Sequence, residues 1–405
     1  MEILIAAGHL PGSQGRQGGA RSSYFLFEHL ARRHRLYLLA FATQLELAEF
    51  DRKDMAIFAS WDVSPVTDWH RVFGGLSAPA LPLSIAARKS GAYRRKLRRL
   101  LATRHFDVVI LDHEAMFQYA ADVPSSSITV GNAHDILSQN WARRVSHAKS
   151  AASRLLIEKE YRRLENWERV MYEKLGLVVP HNEKDKELIN RLTSNARVAV
   201  IDPWVTLPAN DAHPPREEET LLFWGAMNRA ENLDAARWTT DTILPVIQRH
   251  IPGARFYIAG NHSDTLASQF AGRTDIVTTG FVEDVTALMA RMEIAFLPLR
   301  LGAGIKIKVL ECMAAGLPVV TTSVGAEGIG GTHGIHYLVA ENADELAAHA
   351  VHLLGNKADA RRMGASAREF IARRYKFGAR IDEMENLLES AIRIAGRPKE
   401  VGVIL

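Results

Sequence analysis

The chain has 405 residues, 47% hydrophobic and 24% charged, which is enough for two domains with separate cores. No apolar run reaches the roughly 18 residues of a membrane span, and the segment 1–12 lacks the basic leader of a signal peptide. The single cysteine, Cys312, excludes an internal disulfide and a cysteine-based zinc site, and it fits a reducing cytoplasm.

Charge is distributed unevenly between the two halves of the chain. Residues 1–200 carry 29 Lys and Arg against 21 Asp and Glu, whereas residues 201–405 carry 21 against 25. This asymmetry predicts that the first half meets an anionic substrate or surface.

Short β-branched or apolar runs alternate with longer amphipathic runs in the first half. The predicted strands are Ile3–Ala7, Leu36–Phe41, Val108–Asp112, Ile128–Gly131 and Leu177–Val179. The predicted helices are Gly19–Arg33 and Ala151–Lys174. The apolar and aromatic residues of the second helix recur at helical spacing, which indicates packing rather than chemistry.

The second half repeats this alternation. The predicted strands are Leu221–Trp224, Phe256–Ala259, Val277–Thr278, Ile294–Leu297 and Val319–Thr321, and the predicted helices are Asn232–His250, Ile305–Ala315 and Glu345–Leu354. Continuous apolar strands between helices favour parallel sheets covered on both faces, an α/β class.

The pattern predicts two doubly wound, Rossmann-like domains that face a cleft, with ligands at the carboxyl ends of the strands. We expect a first domain over 1–206, a linker over the Pro- and acid-rich segment 207–219, and a second domain over 220–375. A last helix within 376–405 could return to the first domain.

A glycine-rich loop follows the first predicted strand. Gly18 and Gly19 open the next helix and would let the backbone approach an anion, although a plain flexible loop has the same composition. Arg16 and Arg21 flank the pair and could touch an acidic acceptor.

The stretch Arg88–Leu100 contains seven basic residues and no acid. It is typical of an amphipathic helix on anionic lipid headgroups, and equally of a solvated basic face. A nucleic-acid site is less favoured because no aromatic stacking platform accompanies it. The residues assigned here to an acceptor or a membrane are Arg94, Arg95, Lys96, Arg98 and Arg99.

Polar residues follow two strands of the first half. His134 and Asp135 come just after one strand, where the aspartate could orient the imidazole or cap the next helix. A histidine in this position more often has a structural role. The strand-end triplet 112–114, Asp-His-Glu, could contact an acceptor, though helix capping is its simpler role.

The segment GAGIKIKVLECMAAGLPVV, residues 302–320, places charge at the start of a buried helix. Glycines such as Gly304 let backbone N–H groups approach a phosphate, which a helix N-terminus favours. Lys306 and Lys308 oppose the helix dipole unless an anion is present, and Glu311 shares a face with Lys308. A solvated Lys/Glu face is the alternative.

Residues 302–329 resemble the nucleotide-sugar segment of GT-B glycosyltransferases of family 4, and the segment 223–260 resembles the start of the same family's second domain. The resemblance implies that Glu311 holds the nucleotide ribose, that Lys308 and Lys306 meet the diphosphate, and that the loop 323–329 passes near the nucleotide. It implies that Gly18 and Gly19 lie across from the donor phosphates and that His134 contacts the transferred sugar.

This sequence departs from the family pattern at two places. Ala303 stands where the family carries a second glutamate, and the stretch 225–232 lacks the usual lysine. Arg229 or Arg300 could supply the missing charge.

The resemblance predicts transfer of a sugar from a UDP- or GDP-linked donor to a glycan or lipid-linked acceptor, with retention and without a cofactor. No metal is expected, because the sequence contains no Asp-x-Asp. The expected location is the cytoplasm or the inner face of a membrane, within polysaccharide or glycoconjugate biosynthesis. A nucleotide-sugar 2-epimerase and an inactive homologue that serves as a partner protein are the alternatives.

Overall fold

The computed structural model describes residues 1–13, 18–66, 80–148, 150–205, 207–208 and 215–395. The chain separates into two units, one formed by Met1–Asp202 together with the chain from Gly378 onward, and one formed by Pro203–Phe377. Each unit has its own hydrophobic core and its own six-stranded sheet.

The first unit is built on a fully parallel sheet with strand order β3-β2-β1-β4-β5-β6. The central strands have almost no exposed residue, because helices cover both faces. The strands are β1 (Glu2–Ala7), β2 (Arg35–Thr43), β3 (Ser60–Val66), β4 (Val108–Asp112), β5 (Ile128–Ala133) and β6 (Leu177–Pro180).

The helices of the first unit connect these strands. They are α1 (Gly18–Leu30), α2 (Gln44–Glu49), α3 (Leu83–Ala86), α4 (Gly91–Thr103), α5 (Leu137–Ser146), α6 (Ala151–Lys174) and α7 (Glu183–Leu192). Two 3₁₀ helices cover Arg52–Ile57 and Glu114–Asp122. Ser and Asn caps begin α4, α6 and α7, so the starts of these helices are set locally.

The second unit repeats the design with strand order β12-β11-β10-β7-β8-β9, again fully parallel. The strands are β7 (Thr220–Trp224), β8 (Arg255–Ala259), β9 (Ile276–Thr278), β10 (Ile294–Leu297), β11 (Val319–Thr321) and β12 (Leu338–Val339). The predicted class, α/β with two parallel-sheet domains, is confirmed.

The helices of the second unit flank its sheet. They are α8 (Ala230–Trp238), α9 (Leu244–Gln248), α10 (Val285–Arg291), α11 (Ile307–Ala314), α12 (Ser323–Ala326), α13 (Ala343–Gly355) and α14 (Lys357–Arg374), with a 3₁₀ helix at Asp264–Phe270. The predicted helix Asn232–His250 is interrupted between α8 and α9 by a π-helical turn, Thr239–Ile243. Pro245 accounts for the interruption, since it lacks the N–H of a regular α-helical bond.

The last described helix, α15 (Phe377–Ala395), belongs to the first unit from Gly378 onward. Its buried face carries Ile381, Met384 and Leu388. The Glu385 carboxylate lies 3.0 Å from His34 Nε2 and 2.7 Å from Arg33 Nη1.

The predicted linker 207–219 differs from the observed structure at its end. Residues 209–214 lie outside the described residues, but Arg216 donates to the carbonyls of Glu293 and Gly316. Glu217 accepts from Tyr257 at 2.7 Å. The segment 215–219 is therefore packed against the second unit, because its charged side chains find partners there.

Candidate functional site

The segment that connects β10 to α11 forms a glycine turn at the carboxyl end of the second sheet. Gly302 and Gly304 have φ values of 115° and 64°, which residues with a Cβ rarely adopt. Lys306 is the N-cap of α11, and its Nζ donates to the carbonyls of Ala303 (3.0 Å) and Gly304 (2.6 Å). Nζ also lies 3.6 Å from Glu327, so in this structure Lys306 braces the turn.

Lys308 lies in the first turn of α11, and its ammonium donates to the side-chain oxygen of Asn232 on α8. The ammonium is also 5.4 Å from the centre of the Phe223 ring. Burial lowers the pKa of Lys308 to about 7. An anion beside it would stabilise the charged form, because an opposite charge offsets the cost of burial.

Glu311 lies one turn further along α11 and accepts a hydrogen bond from Trp224 Nε1 at 3.0 Å. Trp224 is the last residue of β7, so strand and helix meet at this carboxylate. Lys308 and Glu311, which the sequence placed on one helix face, are each held by a residue from the β7–α8 region. A cation and a carboxylate are thereby fixed beside a helix N-terminus.

Gly225 makes this arrangement sterically feasible. A Cβ at this position would lie 2.8 Å from Asn232 Nδ2 and 2.9 Å from Lys308 Nζ, and the backbone has φ 156°. Asn232 in turn donates to the carbonyl of Ala226 at 2.7 Å. The sequence did not identify Trp224, Gly225 and Asn232 as parts of the site, although Trp224 is the last residue of a strand and Gly225 follows it directly.

The two arginines considered as replacement charges lie in different surroundings. Arg300 makes a two-pronged ion pair with Asp234, at 3.0 and 2.7 Å, and its guanidinium lies 4.4 Å from the centre of the Trp238 ring. Arg229 is half exposed at the start of α8, 3.8 Å from Glu231. Of the two arginines, Arg229 makes the weaker contacts within the protein.

A second polar cluster lies at the carboxyl ends of the strands in the first unit. His134, directly after β5, donates from Nε2 to Asp112 Oδ1 at 2.9 Å. Asp112 ends β4, is fully buried, and also accepts from Asn132 (2.7 Å) and Ser23 (2.8 Å). Ser23 lies on α1, so the helix begun by Gly18 and Gly19 contributes to this cluster.

Electrostatics divide the histidines of this cluster into two kinds. Burial alone would lower the pKa of His134, but the Asp112 carboxylate raises it to about 9. His9 and His181 have pKa values lowered to about 4, first by burial and also by the charge of His134. Their rings lie 6.2 and 5.4 Å from that of His134. The cluster therefore holds one imidazolium between two neutral imidazoles at neutral pH.

The structure bears on both roles expected of Asp135. The carboxylate that accepts from His134 Nε2 is Asp112, whereas the N–H of Asp135 donates to Glu114 at 2.7 Å. The N-cap of α5 is Ile136, so Asp135 does not occupy the capping position either. His113 does cap the 3₁₀ helix that follows it, by accepting from the N–H of Ala115.

His9 and His181 were not identified from the sequence. Each follows a parallel strand, β1 or β6, by one or two residues. Since ligands of parallel sheets bind at this edge, the rule that selected His134 also applies to both.

The basic helix is Gly91–Thr103 rather than Arg88–Leu100, and it is anchored to the first unit. Its apolar residues Tyr93 and Leu97 are fully buried. Arg94 and Arg98 pair with Asp122, and Lys96 pairs with Asp62 at 2.7 Å. This helix therefore lacks an apolar face for a membrane, because that face is already packed. Arg95 and Arg99 are exposed on this helix, as is the paired Arg98, Arg21 is exposed on α1, and Arg16 lies outside the described residues.

Comparison with known proteins identifies the architecture. Residues 218–356 match the family model described as Glycosyl transferases group 1. HepE of Anabaena, crystallised with UDP and glucose, superposes with a TM-score of 0.64 at 13% identity, over 96% of this chain and 99% of that one. The fold is GT-B.

Other GT-B structures are equally extensive matches. Sucrose-phosphate synthase of Thermosynechococcus elongatus has a TM-score of 0.67 at 15% identity, over 97% of this chain and 99% of that one. TarM of S. aureus, crystallised with UDP among other ligands, has a TM-score of 0.68 at 11% identity, over 96% and 100%.

A sequence relative is a 44.6 kDa uncharacterized protein in the cps region of Klebsiella pneumoniae, 26% identical over 163 residues. The match covers 38% of this chain and 42% of that protein, so it spans less than half of either. The Lys308–Glu311 site lies inside the segment that matches the family model.

Among the described residues, no helix has the length and apolarity to cross a bilayer.

Proposed function

We propose that the protein is a glycosyltransferase that takes a sugar from a nucleotide-diphosphate donor held by the second unit. The observation that carries the proposal is the pairing of Lys308 with Asn232 and of Glu311 with Trp224 beside the N-terminus of α11. The match of residues 218–356 to the glycosyltransferase model supports it. HepE and TarM have both been crystallised with UDP, which makes UDP the first candidate nucleotide.

The chemistry follows from where charge develops. When the bond to the anomeric carbon breaks, negative charge accumulates on the departing diphosphate, and a fixed cation with helix N–H groups lowers the energy of that state. In our proposal Lys308 and the backbone of the turn at Gly304 bind the diphosphate, and Lys306 stabilises that turn. Glu311 accepts hydrogen bonds from the ribose hydroxyls. Arg229 is the candidate for the charge that the family places after β7.

The remaining features of the proposal rest on the resemblance to family 4. They are retention of anomeric configuration, a metal-free mechanism, contact of His134 with the transferred sugar, and a glycan or lipid-linked acceptor on the first unit. A role in polysaccharide biosynthesis draws support from the relative in the cps region. In this scheme the protein works in the cytoplasm or at the inner face of a membrane.

The first test is thermal stabilisation by UDP, GDP, ADP and TDP, measured on wild type and on Glu311→Ala. A ligand at a concentration of a hundred times its Kd stabilises the folded state by about 2.7 kcal/mol, which is enough for a clear rise in melting temperature. We expect a rise with one nucleotide, UDP first, which the Glu311→Ala variant loses. Glu345→Ala, at an exposed position of α13, is the matched control and keeps the rise.

Donor turnover then separates the alternatives. A transferase frees UDP or GDP from the sugar donor, whereas a 2-epimerase changes the sugar and leaves it attached. An inactive partner protein does neither. Absence of stabilisation by all four nucleotides would contradict the donor site and favour the inactive homologue.

A further inference from the structure

The beginning of α6 extends beyond the core of the first unit. Its buried residues all lie in the second part of the helix, from Glu160 onward, and none lies in Ala151–Lys159. A helix of 24 residues is about 36 Å long, so its first turns lie well away from the buried part. No residue of those turns belongs to the hydrophobic core.

Two adjacent leucines occupy this exposed part. Leu155 and Leu156 are 69% and 70% exposed, the highest values for large hydrophobic side chains among the described residues. Leu83, 54% exposed, lies beside the same helix, because its N–H donates to the Glu160 carboxylate. Adjacent leucines in water are unfavourable, and an apolar partner would relieve that cost.

Cations surround the leucines. We define the helical tip as Trp141–His147, which is the end of α5 with its C-cap residue, together with Ala151–Arg162 of α6. Its basic residues are Arg143, Arg144, Arg154, Lys159 and Arg162. Its acids are Glu158, which pairs with Arg162 at 2.7 Å, and Glu160, which is buried against Arg163. The surface of the tip is therefore strongly basic.

Exposed leucines among arginines and lysines match the chemistry of an anionic bilayer. Apolar side chains enter the boundary between headgroups and acyl chains, while cations remain with the phosphates. The basic helix α4 lacks this combination, since its apolar residues are in the core and three of its cations are paired within the unit.

We infer that the helical tip is a docking surface for anionic lipid, in which Leu155 and Leu156 insert and the surrounding cations contact headgroups. The inference stands on the first unit alone and does not depend on the proposed transferase activity. It moves membrane contact from the basic helix α4 to the helical tip, whose longer helix, α6, the sequence pattern assigned to internal packing.

The test is flotation of the full chain with vesicles of phosphatidylcholine alone or with 30% phosphatidylglycerol. Wild type floats with the anionic vesicles only. The double variants Leu155→Gln with Leu156→Gln, and Arg154→Glu with Lys159→Glu, each lose at least tenfold in apparent affinity. Circular dichroism stays unchanged and the melting temperature changes little, because these side chains are mostly exposed to solvent.

Two matched controls keep at least half of the affinity. Ile335→Gln removes a side chain that is 52% exposed on the second unit, and Arg95→Glu with Arg99→Glu reverses two exposed cations of α4. Absence of wild-type flotation, equal binding to neutral vesicles, unchanged binding by the tip variants, or loss of binding in the α4 variant would overturn the inference.

A second copy of the chain is the competing occupant. Light scattering on the lipid-free protein decides this point. A dimer that the double leucine variant converts to a monomer would overturn the inference, whereas a wild type that is the same oligomer as the variant agrees with it.

Discussion

At the scale of single residues, Lys308 is the side chain whose charge the fold controls most directly. Its ammonium bonds to Asn232 and lies over an aromatic ring, while burial brings its pKa to about 7. Near neutrality, and without a bound nucleotide, the Lys308 side chain is therefore protonated in only part of the molecules. A bound diphosphate would favour the ammonium, so binding should take up a proton.

This gives a pH dependence for nucleotide binding. Between pH 7 and 9 the phosphates no longer titrate, since their last pKa is near 6. We expect the Kd of UDP to rise by up to about tenfold for each pH unit above 7, because a proton must be bound with the nucleotide. Titration calorimetry in buffers of different ionisation enthalpy measures both the Kd of UDP and the number of protons taken up on binding.

Lys308→Met is the matched variant for this measurement. It should bind weakly at every pH and without proton uptake. A wild-type Kd that is constant from pH 7 to 9 would contradict the role assigned to Lys308.

His134 and Asp112 make a second prediction at this scale. The pKa of His134 is raised to about 9 above an ordinary value of 6.5, so its ion pair stabilises the folded state fully below pH 6.5. The stabilisation is lost as pH rises through 9. We expect wild type to be more stable than His134→Gln at pH 6.5, with that difference falling by on the order of 2–3 kcal/mol by pH 10.

Urea unfolding at several pH values measures this difference. His9 and His181 stay neutral throughout the range, since their pKa values lie near 4, and so they do not mask it. A difference that stays constant from pH 6.5 to 10 would show that His134 is not held charged by Asp112.

The sequence predicted the charged residues of the candidate site better than their partners. Lys308 and Glu311 stood out because charges at the start of a buried helix conflict with the dipole and the core. Asn232 and Trp224 gave no such signal, since an amide in a helix and an aromatic in a strand are both ordinary. Their roles depend on contacts between residues more than 70 positions apart in the chain.

At the scale of elements, the turn after β7 is tightly constrained by its surroundings. Gly225→Ala would force a Cβ to within 3 Å of both Asn232 and Lys308. We expect a loss of about 1–3 kcal/mol in the free energy of unfolding, as for other overpacked sites, together with weaker nucleotide binding.

Gly378→Ala is the control, because a Cβ there meets no atom within 4 Å. In helix α15 it should leave stability unchanged or raise it by up to about 1 kcal/mol. Urea unfolding and nucleotide titration of both variants test the pair. Equal behaviour of the two variants would mean that the turn after β7 tolerates a side chain.

Of the twelve strands in the described part of the chain, ten were predicted from apolar runs, and the two that were missed lie at the edges of their sheets. Ser60–Val66 contains a proline and several polar residues, and Leu338–Val339 has only two residues. An edge strand needs fewer apolar residues because one side lacks a neighbour, so its pattern is weak. Central strands, buried on both faces, gave the clearest signal.

At the scale of the whole molecule, the first unit is made from two separate parts of the sequence. Truncation after Phe377 removes α15 and leaves its contact surface on the first unit without Ile381, Met384 and Leu388. Burial of each such side chain is worth about 1.5–3 kcal/mol, so the three together contribute roughly 4.5–9 kcal/mol and the first unit should unfold about ten degrees lower or more. The second unit keeps all its elements and should melt as before.

Scanning calorimetry of the full and truncated chains tests this. Glu385→Gln, which keeps the helix and removes the charge facing His34 and Arg33, should shift the same transition only slightly. Equal melting of the two chains would contradict a structural role for the helix. The sequence predicted the helix from its periodicity and its return to the first domain as a possibility, but not the contacts that hold it there, which join residues more than 350 positions apart.

The order of synthesis gives the discontinuous unit a further consequence. A ribosome adds about 5–20 residues per second, and the whole of Pro203–Phe377 is translated between the two parts of the first unit. The second unit is one continuous segment and can fold before α15, which the first unit needs, has been synthesised. For a period on the order of ten seconds or more, the nascent first unit exposes the apolar surface that this helix later covers, which makes it the part of the chain a chaperone would bind.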